Sequence, residues 1–390
     1  MNAASAPRDR RTDARLLCIR ADADADDRSP SPPSFREGTA ADLPDLLQPG
    51  DLLVVNDAAT LPASLRGTAP QGQPIELRLL GAPPPSPPED ASGGEEWPAV
   101  LFGAGDWRTP TEHRPPPPPL QVGDVLRWGS DRDRIAPPLS AQITRVSPVS
   151  PRLIHVRFHQ RGAAFLTALY AHGRPIQYAY LQQDLPLWSV QTVYGARPWA
   201  AEMPSAGRPL SWDTLLSLRR RGVELCWLTH AAGISSTGDR TLDAALPLPE
   251  RYDIPDTTAQ AIARARARGG RIVAVGTTVV RALEGAAQRA GREGAARGTV
   301  RAGDGVTDLR IDATTQLDVV DAIISGMHGP EESHFQLLSA FAPPHLLRAA
   351  WDYACAHGFL CHEFGDLCLV FSARRTNAVQ QPAPSAQVGG

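Results

Sequence analysis

With 390 residues, 42% of them hydrophobic, and a formal net charge of −3, the chain can build about two domains around a substantial core, and no global charge draws it to nucleic acid. All 39 Lys+Arg residues are arginine, which excludes the lysine Schiff base, the pyridoxal-phosphate linkage and the P-loop lysine. The N-terminus MNAASAPRDRRTDAR is charged, no apolar run approaches the roughly 18 residues of a membrane span, and the five cysteines lack small-scaffold spacing, so a cytoplasmic protein with reduced thiols and no membrane contact is expected.

In chain order, Asp51–Asn56 predicts a buried strand that ends in a polar turn. Residues 28–34, 83–94 and 113–119 are rich in Pro, Ser or Gly and read as loops. Around them Ile75–Leu80, Trp97–Phe102, Val125–Trp128, Ala141–Val146 and Leu153–Phe158 are short strand-like pieces, which predict a small barrel or sandwich over about 67–158. Longer helical periods and buried strands follow, among them Val223–Thr229 and Ile272–Val275. The expected fold is α/β: a mixed α/β main domain from residues 1–66 and 159–372, an inserted β-barrel at 67–158, and a polar, disordered tail at 373–390.

The most informative stretch is Arg271–Glu284, RIVAVGTTVVRALE. It predicts a strand buried on both faces, a turn that Gly276 permits, and a helix whose first N–H groups a threonine hydroxyl can cap. At the carboxyl end of a strand in an open sheet, a helix N-terminus favours an anionic ligand group, so Gly276, Thr277 and Thr278 are substrate-binding candidates. Arg281 and Glu284 follow on one helix face.

RIVAVGTTVVRALEGAA resembles the GTT signature of the S-adenosylmethionine:tRNA ribosyltransferase-isomerases of queuosine biosynthesis. In the same order as in that family come APRDRRTDARLL from Ala6, DLPDLLQPGDLLVVND from Asp42, SVQTVYG from Ser189 and RRGVELCWLTHAAG from Arg220. VVDAIISGMHGP from Val319, LLSAFA from Leu337 and FGD from Phe364 complete the series. The resemblance implies transfer and isomerisation of the ribosyl group of S-adenosylmethionine onto 7-aminomethyl-7-deazaguanine in tRNA, giving epoxyqueuosine with loss of adenine and methionine. S-adenosylmethionine is then a substrate, tRNA is the expected partner, no cofactor or metal is required, and a monomer is favoured.

That chemistry needs a base for a ribose proton, an acid for departing adenine and a pocket for an extruded base. By position in the motifs, the resemblance nominates His230, His328 and Glu250 as catalytic. Asn56 and Asp57 would bind ligand hydroxyls or simply cap their loop, and Gln191 and Tyr194 would offer an amide and an aromatic face to a purine. Arg281 and Asp366 complete the substrate-binding set, Asp366 with the alternative of capping a turn. Met203-Pro-Ser-Ala-Gly-Arg-Pro-Leu210 keeps Ser205 and Gly207 as binding candidates, but it lacks the histidine of the family's run.

Other departures fall on polar site positions. Ala245 and Leu248 replace two histidines, AAGISSTGD replaces the glycine-rich loop after His230, Ala59 and Ser64 replace two arginines, and Gly326 and Met327 replace phenylalanine and asparagine. The alternatives are therefore a diverged paralog with another small-molecule acceptor, or a noncatalytic tRNA- or nucleoside-binding protein. Arg264, Arg266, Arg268 and Arg271, with Arg219–Arg221 and Arg289, Arg292, Arg297 and Arg301, are the candidate phosphate contacts; as solvated helix faces they would mean nothing more. Cys355, His357, Cys361, His362 and Cys368 lack a paired CxxC and are expected to be core rather than a zinc site.

Overall fold

The computed structural model describes residues 1–20, 35–84, 95–129 and 137–372. The predicted loop at 28–34, most of that at 83–94 and the predicted tail at 373–390 lie outside the described residues.

The main domain is built on a nine-stranded mixed sheet. Its order is Gly303–Thr307, Glu250–Ile254, Glu224–His230, Leu52–Asn56, Ile272–Val275, Ala322–Gly326, Leu367–Phe371, Arg15–Arg20 and Arg36–Thr39. The middle is parallel: Leu52–Asn56 pairs in parallel with both Glu224–His230 and Ile272–Val275, and the latter with Ala322–Gly326. Strands covered on both faces can be apolar throughout, and Leu52–Asn56, Ile272–Val275 and Ala322–Gly326 are buried at every position. Helices Asp256–Ala267 and Thr277–Arg292 pack on the sheet, the second burying Val279, Val280, Leu283, Ala286 and Ala287.

Every strand expected in the insert is present, and they close into a six-stranded barrel. The barrel also takes Ser64–Thr68, which pairs with Pro74–Leu79, so its first strand starts at Ser64. That strand lacks a clean apolar alternation: Arg66 is exposed, and Gly67 lies where a Cβ would stand 2.5 Å from the Trp128 ring. Trp97, Trp128, Phe158 and Phe165, the last from helix Gly162–His172, form an aromatic cluster in the barrel's core.

Candidate functional site

Because the central strands run parallel, their carboxyl ends, Asn56, His230, Gly276 and Gly326, share one edge of the sheet. Asn56 fastens three of them. Its Oδ1 accepts from His230 N (2.9 Å) and Ala58 N (3.0 Å), and its Nδ2 donates to His230 O (3.0 Å) and Thr278 Oγ1 (3.3 Å). With its amide spent in this way, Asn56 positions the edge.

Gly276 adopts φ 91°, open to glycine at little cost, and is itself the cap residue of the Thr277–Arg292 helix. No threonine hydroxyl caps that helix, contrary to the expectation from the sequence, because Thr278 Oγ1 is turned to Asn56 instead. Among the described residues no side chain caps the first N–H groups of this helix, which starts on a half-buried turn. The Ser205–Gly207 turn lies against it, Ala206 Cβ falling 3.7 Å from the Cβ position of Gly276.

His230 is fully buried. Its Nδ1 contacts Thr278 O at 2.7 Å, and since a carbonyl only accepts, Nδ1 carries a hydrogen. Its Nε2 lies 3.0 Å from Glu250 Oε2 but is not aligned for a hydrogen bond. Glu250 also accepts from Arg281 Nη1 and, at 2.7 Å, from Gly233 N. Burial works against the charged form of Glu250, but Arg281, His230 and the Gly233 N–H outweigh it and bring the carboxyl down to about 2. Arg281 Nε donates to Leu309 O (3.1 Å), and its buried Nη2 has no partner among the described residues.

Asp57 accepts from Thr229 Oγ1 at 2.6 Å, and burial raises its pKa. The Tyr194 hydroxyl is buried without a partner among the described residues, and its ring is admitted by Gly207, where a Cβ would sit 2.0 Å from the hydroxyl. The structure thus gathers Asn56, Asp57, Tyr194, Ser205, Gly207, His230, Glu250, Gly276, Thr277, Thr278 and Arg281 along one edge.

The remaining nominated residues are engaged elsewhere. Gln191 is locked to Thr60, accepting from its N–H at 2.9 Å and donating to its carbonyl at 2.8 Å. Asp366 accepts from Arg8 (2.5 Å), Arg15 N (2.8 Å) and Leu360 N (2.8 Å), tying both ends of the chain together. His328 pairs with Glu332 (2.9 Å) and stacks on His334 at 4.2 Å and 10°. Ligand atoms of His328, Glu332 and His334 lie within 4.8 Å of one another, but near-parallel rings direct their in-plane lone pairs along separate planes rather than to one point. Glu332 and His334 had no motif to single them out. Glu284, on the helix face of Arg281, accepts from the N–H groups of Asp318, Val319 and Val320, each at 2.9 Å.

The cysteines are free thiols. Cys361 and Cys368 are buried in strands, and Cys368 is pushed up to about 12 by burial. Much of the arginine cluster is already engaged: Arg264 and Arg268 share Glu224 (2.8 and 3.0 Å), Arg271 binds Asp51 (2.5 Å), and Arg266 holds Gly298 O (2.7 Å). Arg219, Arg220 and Arg292 are exposed.

A parallel-centred α/β domain with a barrel insert and a polar edge at its strand ends defines a ligand-binding α/β enzyme architecture. The family described as queuosine biosynthesis protein matches residues 1–370. A Thermus thermophilus protein named S-adenosylmethionine:tRNA ribosyltransferase-isomerase is 34% identical over 334 residues, covering 84% of this chain and 86% of its own. One of the same name from Azoarcus sp. is 31% identical over 373 residues, covering 94% and 93%. A Thermotoga maritima crystal structure described as S-adenosylmethionine tRNA ribosyltransferase aligns over 95% of this chain and 96% of its own at 21% identity and a TM-score of 0.46. The chain belongs to the queuosine biosynthesis protein family.

Proposed function

We propose that this chain is an S-adenosylmethionine:tRNA ribosyltransferase-isomerase, transferring and isomerising the donor's ribosyl group onto 7-aminomethyl-7-deazaguanine in tRNA. The observation that carries this reading is the match of the family over residues 1–370 together with the relatives named for that activity.

In this reading the uncapped N–H groups at Thr277 and Thr278 and the free Nη2 of Arg281 receive the donor's carboxylate. His230 takes the ribose proton at Nε2, while Thr278 O holds its tautomer and Glu250 faces the proton. Asp57, whose proton affinity is raised, supplies a carboxyl to the departing base, and Asn56 keeps the strand ends in register. No cofactor beyond the donor enters, and the enzyme works as a cytoplasmic monomer. No helix among the described residues is long and apolar enough to cross a membrane.

The test is incubation of the protein with S-adenosylmethionine and tRNA bearing the aminomethyl base, following adenine, methionine and the modified nucleoside. Stoichiometric release with epoxyqueuosine formation is the expected result; no release with folded, donor-binding protein would overturn the reading. Release that needs no tRNA would favour a small-molecule acceptor, the alternative suggested by the altered Met203–Leu210 and Ala231–Asp239 segments.

A further inference from the structure

A second buried group of acids lies beside the strand-end site. A cavity of about 20 Å³, room for one water-sized group, is bounded among others by Thr60, Gln177, Tyr178, Glu202, Met203 and Glu363. Glu202 and Met203 lead directly into the Ser205–Gly207 turn that packs on Gly276.

The polar groups around the cavity are unequally satisfied. The Gln177 amide is used by Gln183 O (2.9 Å) and Leu185 N (3.0 Å). Glu202 accepts from the Tyr178 hydroxyl, Ser235 N (3.0 Å) and Ser235 Oγ (2.6 Å). Glu363 differs: its Oε2 is buried with no hydrogen-bond partner among the described residues. His362, at φ 67°, is the one non-glycine residue among those described with a positive φ, and this left-handed turn delivers Glu363 inward. The His362 ring stacks on Tyr180 at 4.6 Å, and the Tyr180 hydroxyl is likewise buried and unpartnered.

An orphaned carboxylate oxygen in an otherwise satisfied wall is costly unless something binds it. Among the described residues neither acid has an arginine hydrogen-bonded to it; the nearby Arg78 is already bound to Glu76 at 2.8 Å. Burial pushes the Glu363 carboxyl up to about 7 and also raises that of Glu202. A compact donor would satisfy Glu363 Oε2, and one carrying positive charge would in addition offset the burial that disfavours the ionised carboxyl.

We propose that this cavity receives the primary ammonium group of a substrate, with Glu363 Oε2 and Glu202 as its acceptors. The inference rests on the proposed ribosyl transfer, whose donor carries an α-ammonium and whose acceptor base carries an aminomethyl group. An ammonium with three N–H donors fits a one-water space, and charge-assisted bonds to a carboxylate are about twice as strong as neutral ones.

Calorimetric binding separates the two sources. One arm compares S-adenosylmethionine with its deaminated analogue; the other compares 7-aminomethyl-7-deazaguanine with the 7-hydroxymethyl base. In the wild type one amine should bind at least about tenfold more tightly than its uncharged counterpart, since a site built around a polar group penalises its absence. Glu363→Gln and Glu202→Gln, checked for an unchanged melting temperature, should each reduce that preference to near one and leave the other pair unaffected. The arm that changes names the source.

Equal binding of both pairs in the wild type, or a preference that survives in both variants, would overturn the proposal. Failure of the parent reading looks different: wild-type protein that discriminates for an amine yet releases no adenine retains the pocket and loses the reaction.

Discussion

His230 Nε2 lies 3.0 Å from the Glu250 carboxylate that also holds Arg281, so a single buried anion faces both the histidine ring and an arginine whose Nη2 has no partner among the described residues. If His230 is the base, His230→Gln should reduce turnover by roughly 10²–10⁴-fold. The amide can still donate to Thr278 O, so donor binding should change little. Adenine release in single turnover, with donor affinity measured by calorimetry, checks this; near-wild-type release would move the role of base away from His230.

Glu250 gives the fold an acid-sensitive element. Its carboxyl lies at about 2 in the folded protein against an ordinary 4.5, so the unfolded chain binds the proton more readily. The stabilisation is therefore complete above about 4.5 and is lost as pH falls towards 2. Glu250→Gln removes that pH dependence and leaves Arg281 buried without its anion, which should cost about 3–5 kcal/mol at neutral pH. Urea denaturation of both proteins at pH 7 and pH 3 should show the difference between them shrinking in acid; a constant difference would contradict the assignment.

The parts of the fold legible in the sequence were those with strong periodicity. Ile272–Val275 and Leu52–Asn56 are apolar runs buried on both sides, and Gly276 announces a turn only glycine makes readily. Ser64–Thr68 escaped because Arg66 and Gly67 break the alternation, and its place is set by pairing with Pro74–Leu79. Within the site, motif position brought His230, Glu250 and Arg281 together but could not show that the Gln191 amide is taken up by Thr60, 131 residues away. Glu202 and Glu363 escaped for the same reason: each is an ordinary acid locally, and only the packing of distant segments buries both around one cavity.

Asp366 offers a contrast with the strand-end residues. It is 1% exposed and its carboxylate joins Arg8, Arg15 N and Leu360 N. Asp366→Ala leaves buried donors unpaired, each worth about 1–3 kcal/mol, so a stability loss of about 2–4 kcal/mol is expected. Donor affinity, measured below the unfolding transition, should stay within about twofold. A large affinity loss without destabilisation would return Asp366 to the binding site.

Binding of tRNA must come from local charge, because the net charge is −3. Arg264 and Arg268 already share Glu224, whereas Arg219 and Arg220 are exposed at the end of the Trp212–Arg220 helix. An arginine that must leave an ion pair to reach a phosphate gains less than a solvated one, so Arg219 and Arg220 are the better contacts. Affinity should fall linearly in log–log terms as salt rises, with a slope reduced by about 0.7–0.9 for each phosphate contact removed. Replacing Arg219 and Arg220 by Gln should therefore flatten the slope by about 1.4–1.8 if both touch phosphate. Replacing Arg264 and Arg268 should change it less, because both are already ion-paired to Glu224 and each must leave that pair to reach a phosphate. Filter binding from low to moderate salt distinguishes them: flattening by the second pair alone would place the RNA on the Asp256–Ala267 helix face, and a salt-independent affinity in the wild type would remove nucleic acid from the reaction.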